Sequence, residues 1–236
     1  RLKVVRLKLS LKSGSADIIE QYGLIEVACR QVQGSRALPH VLGVILEVGN
    51  QLNTGASKVP GFKLSTCFQR LSQTKSFGRH GFSLMHFVYC VIERKDAGIL
   101  AAVHRELGDG AVPAAQRKSF ELLDKEAREL RGGIRSLAKE IEQWRAEAAG
   151  GASGPCDSAL LESLLLFRGE AGRALEEVER AAKRSVEAFE ACLTYLGEPA
   201  GNMKEQPEAF FTTICDFLRD LRKIQSDGTA LPILPP

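Results

Sequence analysis

Apolar residues in this chain recur at intervals of three and four. Nowhere do they alternate with polar residues long enough to argue for a sheet. The pattern therefore predicts an all-α protein: an elongated helical bundle with a long antiparallel coiled-coil hairpin. A first helix is expected over residues 1–12, stopping near Ser13-Gly14-Ser15. Ser15 is placed to cap a second helix to about Gln33, with Ile18, Leu24, Ile25 and Ala28 turned inward. Gly34-Ser35 breaks the pattern. A third helix runs from Ala37 to about Asn53, tolerating Pro39 in its first turn and burying Val41, Leu42, Ile45, Leu46 and Val48. The composition of residues 54–61 (TGASKVPG) marks a loop. Helical patterns resume over 62–73, 82–94 and 99–107, before a break at Gly108-Asp109-Gly110.

Beyond that break the periodicity tightens. Phe120, Leu123, Ala127, Leu130, Ile134, Leu137, Ile141 and Trp144 alternate steps of three and four, a heptad seam ringed by charge. Gly132-Gly133 costs this helix about 2 kcal/mol in propensity, so the seam relies on a partner. After a Gly-rich turn at 149–155 a second stripe runs from Leu160 to Leu196, with a four-four stutter at Ala174–Val178–Ala182. Two long helices joined by a short turn read as an antiparallel pair. Phe210, Phe211, Ile214, Phe217, Leu218, Leu221 and Ile224 then line one face of a last helix introduced by Pro207. The expected organisation is a helical bundle over 1–110, a coiled-coil hairpin over 111–199, and a terminal helix and tail over 200–236.

Composition narrows the function classes. The 236 residues are 44% hydrophobic and 26% charged, with a net charge of +3, ordinary values that favour no nucleic-acid role. No run approaches the roughly 18 apolar residues of a membrane span. Arg1, Lys3, Arg6, Lys8 and Lys12 form a basic N-terminal stretch, read either as a solvated face or as a patch for an acidic polymer. The chain begins with Arg, as a piece cut from a longer polypeptide would. The six cysteines have no CxxC or Cys-His spacing, so neither a zinc site nor a disulfide framework is expected. Buried thiols in a reducing, cytoplasmic setting fit better. Histidines 40, 80, 86 and 104 lack metal-ligand spacing, and lone helical histidines are structural or exposed rather than ligands. The GASKVPG loop has neither the glycine spacing nor the Gly-Lys-Ser/Thr of a phosphate loop. No catalytic constellation appears, so no enzyme activity, cofactor or metal is expected.

The distinctive stretch is central. Gly49-Asn50 ends an apolar helix, Asn53 follows one turn later, and a loop leads into Gly61-Phe62-Lys63-Leu64-Ser65-Thr66. A glycine within a helical pattern costs about 1 kcal/mol and is expected where another backbone or ring approaches closely. Taken together, GNQLN, GFKLSTCFQRLSQTKS and LMHFVYCVIE resemble the motifs of the formin homology 2 (FH2) domain in order and approximate spacing over about 45 residues, from Gly49 to Glu93.

That resemblance implies an actin-binding module that nucleates filaments and processively caps their barbed ends as a head-to-tail ring of two subunits. Residues 1–34 would end the knob. Gly49, Asn50, Asn53, Gly61 and Phe62 would build the post surface that receives a partner subunit's lasso. Lys75, with Thr74, Ser76 and Lys63, would meet actin. The implied partners are actin, a second formin subunit, and profilin-actin through an upstream proline-rich region. The implied location is the actin cytoskeleton. Departures from the pattern are Gln73, where Asp is common before Thr-Lys-Ser, and a longer turn over 77–85 loosened by Gly78 and Gly81. The family's lasso and most of its knob are expected upstream of Arg1, so the chain alone is expected to be impaired in closing the ring. No hydrophobic-plus-basic segment follows the last helix, unlike a Diaphanous-type tail; with Pro236 as natural end, a delphilin-like formin fits. The alternative readings are a coiled-coil scaffold that binds another protein's helix, and a membrane or nucleic-acid module built on the basic N-terminus.

Overall fold

The computed structural model describes the backbone of residues 2–53, 60–75, 81–149, 155–198 and 206–227, with side chains from Leu11 onward except at 147–149 and 155–158. The described residues form an all-α fold of nine helices: α1 (Leu2–Gly34), α2 (Ala37–Leu52), α3 (Leu64–Gln73), α4 (Leu84–Lys95), α5 (Ile99–Leu107), α6 (Ala111–Ala115), α7 (Phe120–Ala149), α8 (Pro155–Tyr195) and α9 (Pro207–Asp227). The one β-bridge among them pairs Lys75 with Ser83. None of these helices is long and apolar enough to cross a membrane.

Contacts divide the chain into two compact units, residues 1–23 with 120–186 and residues 24–119 with 187–236, so that α1 and α8 each contribute to both. In the first unit, Leu137 and Ile141 of α7 pack with Leu164, Phe167 and Ala171 of α8 and Leu11 of α1. Leu130, Ile134 and Trp144 close around that cluster, as the heptad seam requires. Arg131 pairs with Glu179, and Glu142 with Arg168, so positions rising along α7 meet positions falling along α8. That order is antiparallel. Across the same unit the Tyr22 hydroxyl donates to Asp124 Oδ1 at 2.6 Å, and its ring lies on Phe120. Burial and the adjoining carboxylate both push the phenol above its ordinary value.

The expected break at Ser13-Gly14-Ser15 does not occur: α1 is continuous. Ser15 is buried at 6% exposure and donates its hydroxyl back to the Lys12 carbonyl, so it satisfies itself inside the helix instead of capping a new one. It also occupies a seam position, since Leu11, Ser15, Ile18, Tyr22, Ile25, Cys29 and Val32 are buried at alternating steps of four and three. Leu24, expected inward, is only half-buried and Tyr22 takes the interior instead. On α8 the buried residue is Ala181 rather than Ala182, which moves the four-four step to Ala181–Ser185–Phe189. There α8 passes from one compact unit to the other.

In the second unit α2 packs on α4 and α5, α3 on α4 and α9, and α6 on α9. Phe189 of α8 meets Phe210 edge-on at 5.5 Å, and Phe210 meets Phe211 edge-on at 5.2 Å, the preferred quadrupole geometry. Every apolar position expected on the last helix is buried, together with Cys215. Cys29 and Cys192 are fully buried thiols that share a hydrogen bond, which together with burial drives the Cys29 thiol well above its ordinary range. Such thiols are inert.

Helix ends are satisfied by distant side chains. The Glu106 carboxylate accepts from the Ser35 hydroxyl and from the Ala37 N–H, while Ser35 Oγ accepts the Leu38 N–H. Those donors hold the Glu106 carboxyl below its usual range. Gln31 bridges from α1 to the carbonyls of Glu106 and Asp109 and to the Val112 N–H. Buried Glu198, just beyond α8, accepts the Leu64 N–H at the start of α3. An ionised acceptor at a helix N-terminus adds favourable charge to the orphan N–H groups.

Two outcomes are expected. Gly132 is exposed and an added Cβ meets nothing within 4 Å, so Gly132→Ala stabilises the α7–α8 hairpin by about 1 kcal/mol in chemical denaturation followed by circular dichroism. Glu198→Ala orphans the Leu64 N–H and lowers the stability of the second unit by about 1–3 kcal/mol, whereas Glu198→Gln, which retains an acceptor, recovers part of that loss.

Candidate functional site

Helix α3 is the platform of the site. Its ten residues span about 15 Å and carry different surfaces at their two ends. Lys63 is its N-cap, in extended conformation. From that end an apolar cavity of about 280 Å³ extends along the helix, lined by Ile45, Val48 and Gly49 of α2, by Phe62, Cys67, Arg70 and Leu71, and by Leu84 of α4. Burial pushes the Cys67 thiol up to about 11, which keeps it protonated and apolar.

Gly49 does not mark a close approach of chain to chain. An added Cβ there meets nothing within 4 Å, and the open space is the cavity itself. Its carbonyl accepts the N–H of Asn53, the C-cap of α2, at 3.1 Å. Asn50 is half-buried and Asn53 exposed, and the loop they were expected to brace, residues 54–59, lies outside the described residues. Gly61 is exposed and Phe62 half-buried on the approach to α3. The structure thus brings Gly49, Phe62 and Lys63 to one cavity.

Thr74 and Lys75 sit at the opposite end of α3. The Thr74 N–H donates to the Arg70 carbonyl at 2.9 Å, and the Thr74 carbonyl accepts the Leu84 N–H at 2.7 Å. Lys75 bridges to Ser83 in antiparallel fashion, yet its side chain is exposed. It borders a larger cavity of about 530 Å³ with a mixed lining, shared with Phe82, His86, Asp220, Lys223 and Asp227. Ser72 donates to Asp220 Oδ2 at 2.7 Å, tying this end to α9. Ser76 lies outside the described residues. Lys63 and Lys75, grouped in sequence reasoning as one contact set, therefore stand at opposite ends of a helix.

Sequence reasoning did not find three contributors: Glu198, which holds the start of α3; Asp220, which holds its end; and His86, which holds the turn beside Lys75. The first two are more than a hundred residues from their partners and leave no local trace. The third had one. Ser83-Leu84-Met85-His86 has the spacing of a capping box, with histidine where glutamate or glutamine is usual.

No His/Cys/Asp/Glu group suited to a metal occurs among the described residues. The sequence profile of the Formin Homology 2 Domain matches residues 1–222. Among curated relatives, Disheveled-associated activator of morphogenesis 1 of Mus musculus is 27% identical over 96% of this chain and 20% of its own length. Disheveled-associated activator of morphogenesis 2 of Homo sapiens is 26% identical over 98% of the chain and 21% of its own. Formin-like protein 3 of Homo sapiens is 28% identical over 89% of the chain and 18% of its own. The chain thus spans about a fifth of the length of these relatives. A match over nearly all of the chain, on an all-α fold in which the Gly-Asn motif ends α2 and the Gly-Phe-Lys and Thr-Lys motifs flank α3, makes this chain a member of the formin homology 2 family.

Proposed function

We propose that this chain is the actin-engaging, subunit-receiving part of an FH2 ring that nucleates filaments and tracks their barbed ends. The observation that carries the reading is the mounting of Lys75. An exposed cation follows a backbone tie, the Leu84 N–H donated to the Thr74 carbonyl, within the antiparallel bridge that pairs Lys75 with Ser83. A backbone anchored in this way presents the ammonium from a set place, and an exposed cation suits an acidic partner such as actin for both steering and binding. Thr74 and Ser76 shape the same contact. Lys63, set apart by the length of α3, serves the second surface or a separate actin contact.

The second surface is the cavity bordered by Gly49 and Phe62, with Asn50, Asn53 and Gly61, their neighbours in the chain, completing the proposed receiving surface. Its apolar walls and open face fit a bulky apolar side chain from another subunit's lasso, as hot-spot pockets do. Action is by binding and positioning and not by covalent chemistry. Profilin-actin delivery through a proline-rich segment outside these residues, and work at the cytoplasmic actin cytoskeleton, complete the proposal. The competing reading is a helical scaffold, favoured by Leu122 and Leu166, apolar side chains left exposed on the hairpin.

Lys75→Asp is expected to weaken barbed-end binding by at least about tenfold in a seeded elongation assay, with helicity unchanged. Undiminished actin binding by that variant would favour the scaffold. A Cβ at Gly49 meets nothing within 4 Å, so Gly49→Ala leaves the thermal transition in place and Gly49→Trp is the variant that obstructs the cavity. In a polypeptide carrying the family's lasso, the same substitution converts dimer to monomer in light scattering.

A further inference from the structure

Four polar contacts join Ser83 to His86. The Ser83 backbone N–H donates to His86 Nδ1 at 3.2 Å and its hydroxyl lies 3.0 Å from the same nitrogen, while the His86 N–H donates to Ser83 Oγ, completing a capping box, and to the Ser83 carbonyl at 3.0 Å. A backbone N–H can only donate, so Nδ1 must be the acceptor and the ring proton must sit on Nε2. Ser83 is also the residue that bridges to Lys75, and the next N–H, that of Leu84, donates to the Thr74 carbonyl. The imidazole therefore secures the strand-like segment on which Lys75 is mounted. Glutamate or glutamine at this position would accept the same N–H at any pH near neutrality, whereas histidine accepts it only while neutral.

We infer that His86 is the positioning residue for Lys75, and that its protonation releases the Ser83 N–H and loosens the pairing of Ser83 with Lys75, so that engagement of the acidic partner weakens on mild acidification. The inference rests on the reading of Lys75 as the actin contact.

The surroundings set the sign. Burial, aided by the adjacent Phe82 ring at 5.0 Å, holds the half-buried imidazole below the ordinary histidine value, while Asp227 pulls the other way. Lys75 from the end of α3 and Asp220, Lys223 and Asp227 from α9 border the same cavity, and Cys90 lies one turn along α4. The folded state prefers the neutral ring. The cap's contribution is thus complete above the ordinary histidine value and is lost as pH falls through it toward the lower folded value. A protonated Nδ1 has no lone pair for the Ser83 N–H and can only donate, to the Ser83 hydroxyl, and it adds a cation beside Lys75 and Lys223.

The test uses the whole chain, with wild type, His86→Gln, His86→Ala and Lys75→Asp compared between about pH 7.5 and pH 5.5. Nitrogen shifts of the His86 ring report its tautomer and titration. Hydrogen-exchange protection of the Ser83 and Leu84 amides reports the cap, and co-sedimentation reports actin binding. In wild type, titration of His86 is expected to reduce amide protection and actin binding together, each by at least about fivefold. His86→Gln keeps both across the range and flattens the pH profile, while His86→Ala loses both at every pH. Protection that ignores His86 titration, or a glutamine variant as pH-sensitive as wild type, overturns the inference. Actin binding that survives Lys75→Asp overturns the Lys75 reading and this inference with it. Binding lost in Lys75→Asp but unmoved by either His86 variant overturns this inference alone.

Discussion

Phe68 of α3 lies flat on Phe217 of α9, with ring centroids 3.9 Å apart and planes within 9°. Both rings are buried, and the candidate site depends on this contact, because α3 is short and candidate site residues flank both of its ends. A ten-residue helix is not stable alone in water. Packing on α9 and α4 gives it an orientation, and three polar ties then hold its ends: Glu198 at Leu64, Asp220 at Ser72, and the Leu84 N–H at the Thr74 carbonyl. Removing the stack would leave both surfaces without a reference frame.

The same economy appears at α2. Its N-terminus is closed by Ser35 and Glu106, and its C-terminal turn stops at Asn53 after presenting Gly49 to an open cavity. A glycine there serves a vacancy and not a tight contact. Any larger residue would occupy the space that the proposed lasso needs. Propensity lost in the helix is thus exchanged for room at the surface, a common reason for a residue that weakens its own element.

The coiled-coil hairpin and the second unit obey different packing rules, and α8 serves both. In the first unit its seam follows the three-four alternation; near Ser185 a second step of four follows the first, and Phe189 then faces the aromatic cluster with Phe210 and Phe211. A stutter re-aims an apolar stripe without breaking the helix.

Much of this was legible in the sequence, since periodicity is a local property that each helix displays alone. The seam of α7, the bounds of α5 and the buried face of α9 all follow from steps of three and four. The motifs from Gly49 to Glu93 sufficed to recognise the family. Where local and tertiary preferences compete, tertiary structure decided. Ser15 reads as a cap by its chemistry, but burial in a seam makes it one more helical residue of α1. Ala181 and Ala182 are equivalent in sequence, and only the packed neighbours choose between them. The cavity beside Gly49 draws on α2, α3 and α4, and the mounting of Lys75 needs α3, α4 and α9. Those surfaces exist because long-range packing juxtaposes residues far apart in the chain, and no local pattern encodes which of them will meet.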